Sequence, residues 1–215
     1  IRALLNACAS MRRYGRRDLY PVLFGLIAAT GLRLGEALGL GIEEADLDNG
    51  ILTITRGKSR NPRLVPLHPT TTTVLHDYAT QVAPTRRGTP SANDSSGRAR
   101  FFTLPRGGPL PPCNVHHAFR EVTIRTGLRT ETLWPRIHDL RHTFAVNTLL
   151  GWYRDGSDVA AMMPVLSTYL GHTKPENTYW YLTATPELLA LAADRLSVSV
   201  SASDSLATGR SAEPS

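Results

Sequence analysis

Cysteine and lysine are both scarce in this 215-residue chain, and long apolar runs are missing. Two cysteines, Cys8 and Cys113, stand far apart in sequence and make neither a disulfide framework nor a metal-ligand pair. A reducing compartment, the cytoplasm, therefore fits best. The most apolar run, Pro21 to Thr30, falls far short of the ~20 residues that cross a bilayer, so no membrane partner is expected. The opening residues do not read as a charged-then-apolar leader. They begin at Ile1, already inside a helical pattern, which leads us to expect a longer protein with a segment N-terminal to this one. Against these absences stand ordinary apolar (41%) and charged (20%) fractions, which argue for a folded chain over most of its length. The formal charge of +6 points to a polyanionic partner. Lys58 and Lys174 are the only lysines, so 22 of the 24 basic residues are arginines. The planar guanidinium fork suits phosphate recognition, and codon bias in a GC-rich genome produces the same excess.

Periodicity gives a mainly helical order. Helices are expected from Ile1 to Met11, Leu19 to Ala29, Leu32 to Leu40, Thr70 to Val82, Asn114 to Thr126, Ile137 to Leu150 and Val159 to Leu170. Asp158 is a good N-cap for the last of these and Gly171 ends it. Glu176 to Leu182 and Pro186 to Leu196 complete the helical set. Asp46 to Gly50 is turn-like, and Ile51 to Arg56 and Arg63 to Leu67 alternate as strands of a hairpin, with Pro66 marking an edge. Pro84 to Arg100 reads as a surface loop, and a Ser/Ala-rich stretch at 197–215 as a disordered tail. The fold class is α+β, mainly α: a helical bundle with a small antiparallel β-hairpin or meander.

Several clusters could carry chemistry. In His138-Asp139-Leu140-Arg141-His142, helical spacing puts His138, Arg141 and His142 on neighbouring positions of one face. A zinc-protease reading is weak, because Asp139 is shorter than the glutamate required and Arg141 would set a cation beside the metal. His172 after Gly171 could simply cap a helix C-terminus. Arg33 and Glu36, three apart, could be a surface ion pair of little worth. Arg33 follows a very apolar helix, however, and is expected half buried with Glu36 holding its guanidinium. Lys58 sits at the hairpin bend among Arg56, Arg60 and Arg63. Tyr181 lies in the run Tyr179-Trp180-Tyr181, and such runs are more often core than catalytic. A basic cluster at Arg12, Arg13, Arg16 and Arg17 is a solvated face or a phosphate-contacting edge.

Taken in order, Arg33, Lys58, His138-x-x-Arg141, Gly171-His172 and Tyr181 resemble the catalytic domain of the tyrosine recombinase (phage-type integrase) family. The stretches that carry the likeness are ATGLRLGEALGL (Ala29 to Leu40), RGKSRNPRLVPL (Arg56 to Leu67), RIHDLRHTFA (Arg136 to Ala145) and LGHTKPENTYWYL (Leu170 to Leu182).

The resemblance implies one catalytic domain over residues 1–196, lacking an N-terminal core-binding domain. It implies site-specific recombination or integration of double-stranded DNA, with Tyr181 as nucleophile and a 3′-phosphotyrosyl intermediate. Arg33, Arg141 and His172 would stabilise the phosphoryl transition state, Lys58 would be the general acid and His138 would assist proton transfer at the tyrosine. Glu36 would orient Arg33, while Arg56, Arg60 and Arg63 would contact DNA. No metal and no cofactor is implied. The expected assembly is a homo-tetramer on two duplexes in the bacterial cytoplasm, at the nucleoid, with residues 186–196 packing on a neighbour or within the same chain. A topoisomerase of type IB and a catalytically silent DNA-binding module are the rival readings.

Overall fold

The structure is a computed structural model, and it describes residues 1–10, 19–55, 62–86, 99–104, 108–174, 176–183 and 185–191. The arginine cluster at 12–17, the hairpin bend with Arg56, Lys58 and Arg60, most of the expected 84–100 loop and the 197–215 tail lie outside those residues. The chain divides into two compact units, one formed by Ile1–Phe144 with Thr168–Thr173 and the other by Ala145–Ser167 with Lys174–Ser215.

The first unit is built on helix α2 (Leu19–Thr30), which follows α1 (Arg2–Ala9). Eight of the twelve residues of α2 are buried, as expected for a helix apolar on every side. Its core takes in Leu23, Phe24 and Ile27 with Tyr78, Phe101, Phe102, Phe119 and Val122. Cys8 is buried in α1, and burial pushes its thiol up to about 12, which leaves it unreactive.

Gly31 stops α2 in the left-handed region (φ +65°). A Cβ there would lie 2.6 Å from Phe144 Cδ1 and 3.0 Å from Leu170 Cδ2, so close packing as well as φ calls for glycine. Helix α3 (Leu34–Gly39) starts at once, with Arg33 as N-cap.

Strands β1 (Ala45–Asp46), β2 (Ile51–Ile54) and β3 (Arg63–Pro66) form an antiparallel sheet in that order. Asp46 Oδ1 accepts from the Asn49 amide at 3.1 Å and so closes the β1–β2 turn. Sequence reading expects only a turn from Asp46, because a two-residue strand carries no alternation to detect. Pro66 stands on an edge strand, as its missing N–H requires. Register pairs Leu52 with Val65 and Ile54 with Arg63, so these four side chains share one face. Leu52, Ile54 and Val65 on that face are buried, whereas Leu64 on the other is exposed.

Helix α4 (Pro69–Arg86) runs beyond its expected end, because Pro84 does not break it. Helix α5 (Pro112–Arg125) follows. Helix α6 (His138–Arg154) also outlasts its pattern by a full turn, and α7 (Val159–Leu170) falls on its expected bounds.

In the second unit the Ala161 amide donates to Asp158 Oδ1 at 3.1 Å, the expected N-cap. Leu149, Met163, Leu166 and Leu188 are buried there, and Arg154 pairs with Glu187. The helix expected from Glu176 appears as α8 (Glu176–Tyr179) continued by a 3₁₀ turn, Trp180–Thr183, and residues 186–191 are helical. Among the described residues no helix is long and apolar enough to cross a membrane.

Candidate active site

The last carbonyls of a helix have no partner within it. At the end of α7 three successive ones are taken by arginines from three other elements. Arg63 Nε donates to Tyr169 O at 2.8 Å, Arg141 Nη2 to Leu170 O at 2.7 Å and Arg33 Nη2 to Gly171 O at 3.0 Å. Cations are favoured at this negative end of the helix dipole. Gly171 turns the chain there (φ +66°), and His172 leaves the helix within electrostatic reach of all three guanidinium groups.

Glu36 ties two of these arginines together, and its side chain is 0% exposed. Its Oε1 accepts from Arg33 Nη1 and from Arg63 Nη1, both at 3.0 Å. Its Oε2 accepts from Arg63 Nη2 at 2.8 Å and from the Arg33 amide at 2.9 Å. Burial pushes the carboxyl up, but the Arg63 hydrogen bond, the Arg33 amide and both guanidinium charges outweigh it and hold it below its ordinary range. Arg33 keeps 25% of its side chain exposed, the half-buried state expected of it.

Arg141 is almost fully enclosed, 1% exposed. Its Nη1 donates to Gly31 O at 2.6 Å, and its Nη2 lies 3.0 Å from His172 Nε2. An arginine is always a donor, so Nε2 accepts and the ring proton sits on Nδ1. Burial first, then the charges of Arg141 and Arg33, lower the His172 pKa to about 4. His172 is therefore neutral at pH 7, and a charged oxygen brought beside it would restore some of that lost basicity.

His138 opens α6, and any proton it takes up is felt electrostatically by His172. Its ring meets His142 edge-to-face at 4.5 Å between centroids. Burial, then His142 and Arg141, hold His138 below its ordinary pKa, so it is a neutral ring able to take a proton. Among the described residues no group of three or more His, Cys, Asp or Glu could hold a metal ion.

The structure thus brings together Arg33, Glu36, Arg141, His172 and, within electrostatic reach, His138. Tyr181 belongs to the second unit, in the 3₁₀ turn, where it is 2% exposed and meets Trp180 edge-on at 5.7 Å. Tyr179 is half exposed on α8. Burial pushes the Tyr169 phenol up to about 12. The sequence reading misses how Arg63 is used. Its alternation with the apolar Val65 was the available signal for an inward side chain.

Residues 1–187 match the model of the phage integrase family. A candidate integrase/recombinase of Sinorhizobium fredii, y4rB, is 42% identical over 203 residues, covering 91% of this chain and 63% of the relative. Tyrosine recombinase XerD of Mycobacterium tuberculosis is 32% identical over 165 residues, 76% of this chain and 47% of that protein. The chain thus spans about half to two thirds of the length of these relatives. Among solved structures, the XerH site-specific recombinase bound to a palindromic difH substrate superposes with a TM-score of 0.65 at 25% identity, covering 89% of this chain and 50% of the other. The Tn1549 transposon integrase bound to transposon right-end DNA shares the fold, with a TM-score of 0.67 at 18% identity over 91% of this chain and 63% of the other.

Proposed function

The chain belongs to the phage integrase family, the tyrosine recombinases, and from that premise we propose that it cuts and rejoins double-stranded DNA at specific sites through Tyr181. The observation that carries the reading is the convergence of Arg33, Arg141 and His172 on the C-terminus of α7, with Glu36 fixing Arg33 from behind.

Phosphoryl transfer spreads negative charge over the non-bridging oxygens, and preorganised cations stabilise that state most. Arg33 and Arg141 are preorganised by backbone carbonyls, which fix their planes before substrate arrives. His172, neutral and flanked by them, supplies a further hydrogen bond to the same oxygens. The Tyr181 oxygen attacks phosphorus and forms the 3′-phosphotyrosyl bond, while the bond to the 5′-oxygen breaks. Lys58 gives its proton to that departing oxygen, and His138 takes the proton from the phenol. A 5′-hydroxyl from the same or another strand reverses the step without ATP, because the ester retains the bond energy. No divalent metal takes part in this scheme. The expected assembly is a homo-tetramer on two duplexes.

The test is covalent capture on nicked duplex DNA. Tyr181→Phe should abolish the adduct and leave DNA binding intact, whereas persistent capture by that variant would reject Tyr181 as nucleophile. Strand exchange between two sites, as opposed to plasmid relaxation alone, separates recombinase from topoisomerase.

A further inference from the structure

We propose that Arg63 is a positioning residue that locks the phosphate-gripping cluster, and that it is not a DNA contact. The inference rests on the recombinase reading given above. Three independent features of the first unit carry it.

The first is register. Arg63 stands opposite Ile54 and two residues from Val65, so its side chain projects to the buried face of the sheet and is itself only 9% exposed. Burial alone does not set it apart, since Arg141 is more enclosed still, but it turns the Arg63 guanidinium toward protein groups and away from Leu64 on the exposed face.

The second is saturation. All three of its nitrogens are engaged: Nη1 and Nη2 grip both oxygens of Glu36 as a fork, and Nε holds the Tyr169 carbonyl. A bidentate guanidinium–carboxylate pair fixes angle as well as distance. Arg33, by contrast, takes only Oε1 with its side chain. Without Arg63 the carboxylate keeps only the Arg33 amide and Nη1, and loses the fork that fixes its plane from the other side.

The third is the interlock with Gly171. A Cβ at that position would lie 2.9 Å from Arg63 Nη1 and 3.0 Å from its Cζ. The guanidinium thus lies flat on the turn that aims His172, and only glycine leaves it room. Arg63 therefore braces both the carboxylate behind Arg33 and the backbone in front of His172.

The experiment uses the whole chain with Arg63→Gln and Arg63→Lys, and a nicked duplex selected by covalent capture from a library randomised around the nick. With Arg63→Gln, the single-turnover capture rate should fall about 100-fold, the scale of an ångström-sized misplacement of a catalytic group. The affinity for the same duplex and its salt dependence should stay at the wild-type values. An unchanged rate, or a slope of log K on log salt shallower by about 0.9, the signature of one lost phosphate contact, would overturn the proposal. Should the glutamine variant fail to fold, Arg63→Lys answers the same question, since it keeps the charge and loses the fork.

A second arm needs no DNA. In the wild type the Arg33 guanidinium should show separate, slowly rotating Nη signals by NMR, and in either variant these should merge. Separate Arg33 signals persisting in a folded variant would overturn the brace whatever the chain does to DNA. A wild-type chain that captures no duplex while the Arg33 signals still merge would sink the recombinase reading and leave the brace standing.

Discussion

Arg141 donates from Nη2 to Nε2 of His172 across 3.0 Å, a contact that exists only while the imidazole is neutral. Protonation at Nε2 would set donor against donor. Burial first, and then the nearby charges of Arg141 and Arg33, hold the His172 pKa at about 4, against 6.5 for an unconstrained histidine.

Stability should therefore depend on pH with a defined sign. The folded pKa lies below the unfolded one, so between pH 6.5 and about 4 the unfolded chain binds more protons at this site. The associated stability is fully present above pH 6.5 and is drawn down as pH falls to about 4. His138 and His142 are shifted the same way, and Glu36 adds its loss below its ordinary carboxyl range. Urea midpoints taken from pH 7 to 4 should fall continuously, and His172→Gln should flatten the upper part of the curve. Parallel curves for variant and wild type would refute a neutral, buried-side His172.

Glu36 faces two cations with its side chain fully enclosed, so removing it should cost more than an ordinary ion pair. Glu36→Ala leaves Arg63 buried and unbalanced beside Arg33, and breaking a buried pair in this one-sided way costs about 3–5 kcal/mol. Glu36→Gln keeps volume and one acceptor and should cost clearly less in stability. Denaturant titration of both variants checks the order. Equal and small losses would mean that the pair is solvated after all.

How far all this could be read in advance depends on the kind of interaction. Helix α2 announces itself by unbroken apolarity and α7 by Asp158 before it and Gly171 after it. These are local signals, and the chain obeys them. Arg33 with Glu36 was legible at i, i+3 spacing, down to the half-burial of the arginine. The far partners were not. Nothing in the residues around Tyr169, Leu170 and Gly171 marks their carbonyls as acceptors, because every residue carries one, and only tertiary placement decides which arginine finds it. Arg63 was grouped with Arg56 and Arg60 by charge alone, while its register put it on the inner face. The division into two units left no mark either, since it cuts α6 and α7 within regular helical pattern.

Two glycines should tolerate alanine poorly and a third should welcome it. At Gly171 the left-handed backbone alone costs a non-glycine residue about 1–2 kcal/mol, and the new methyl would press on Arg63. At Gly31 the same φ is joined by a tighter approach to Phe144. Gly151 lies within α6 with nothing inside 4 Å of its missing Cβ, so Gly151→Ala should gain about 0.5–1 kcal/mol. Thermal melts of the three variants measure the contrast directly. A Gly171→Ala chain as stable as the wild type would contradict the interlock.

Arg33 is the cation of the cluster with exposed surface to offer, and its loss should register in rate before it registers in binding. Removing one preorganised donor from a transition state costs on the order of 10²–10³ in rate, and Arg33→Ala should lose that much in single-turnover cleavage of nicked DNA. Duplex affinity should change little, because many other arginines share the electrostatic attraction. Arg33→Lys should rescue little of the rate. A lysine can hold Glu36 or the Gly171 carbonyl, yet its single ammonium cannot span both and still meet a phosphate oxygen in a fixed plane. Near-complete rescue by lysine would mean that charge alone suffices at this position, and that the orientation enforced by Glu36 and Gly171 has no bearing on the chemistry.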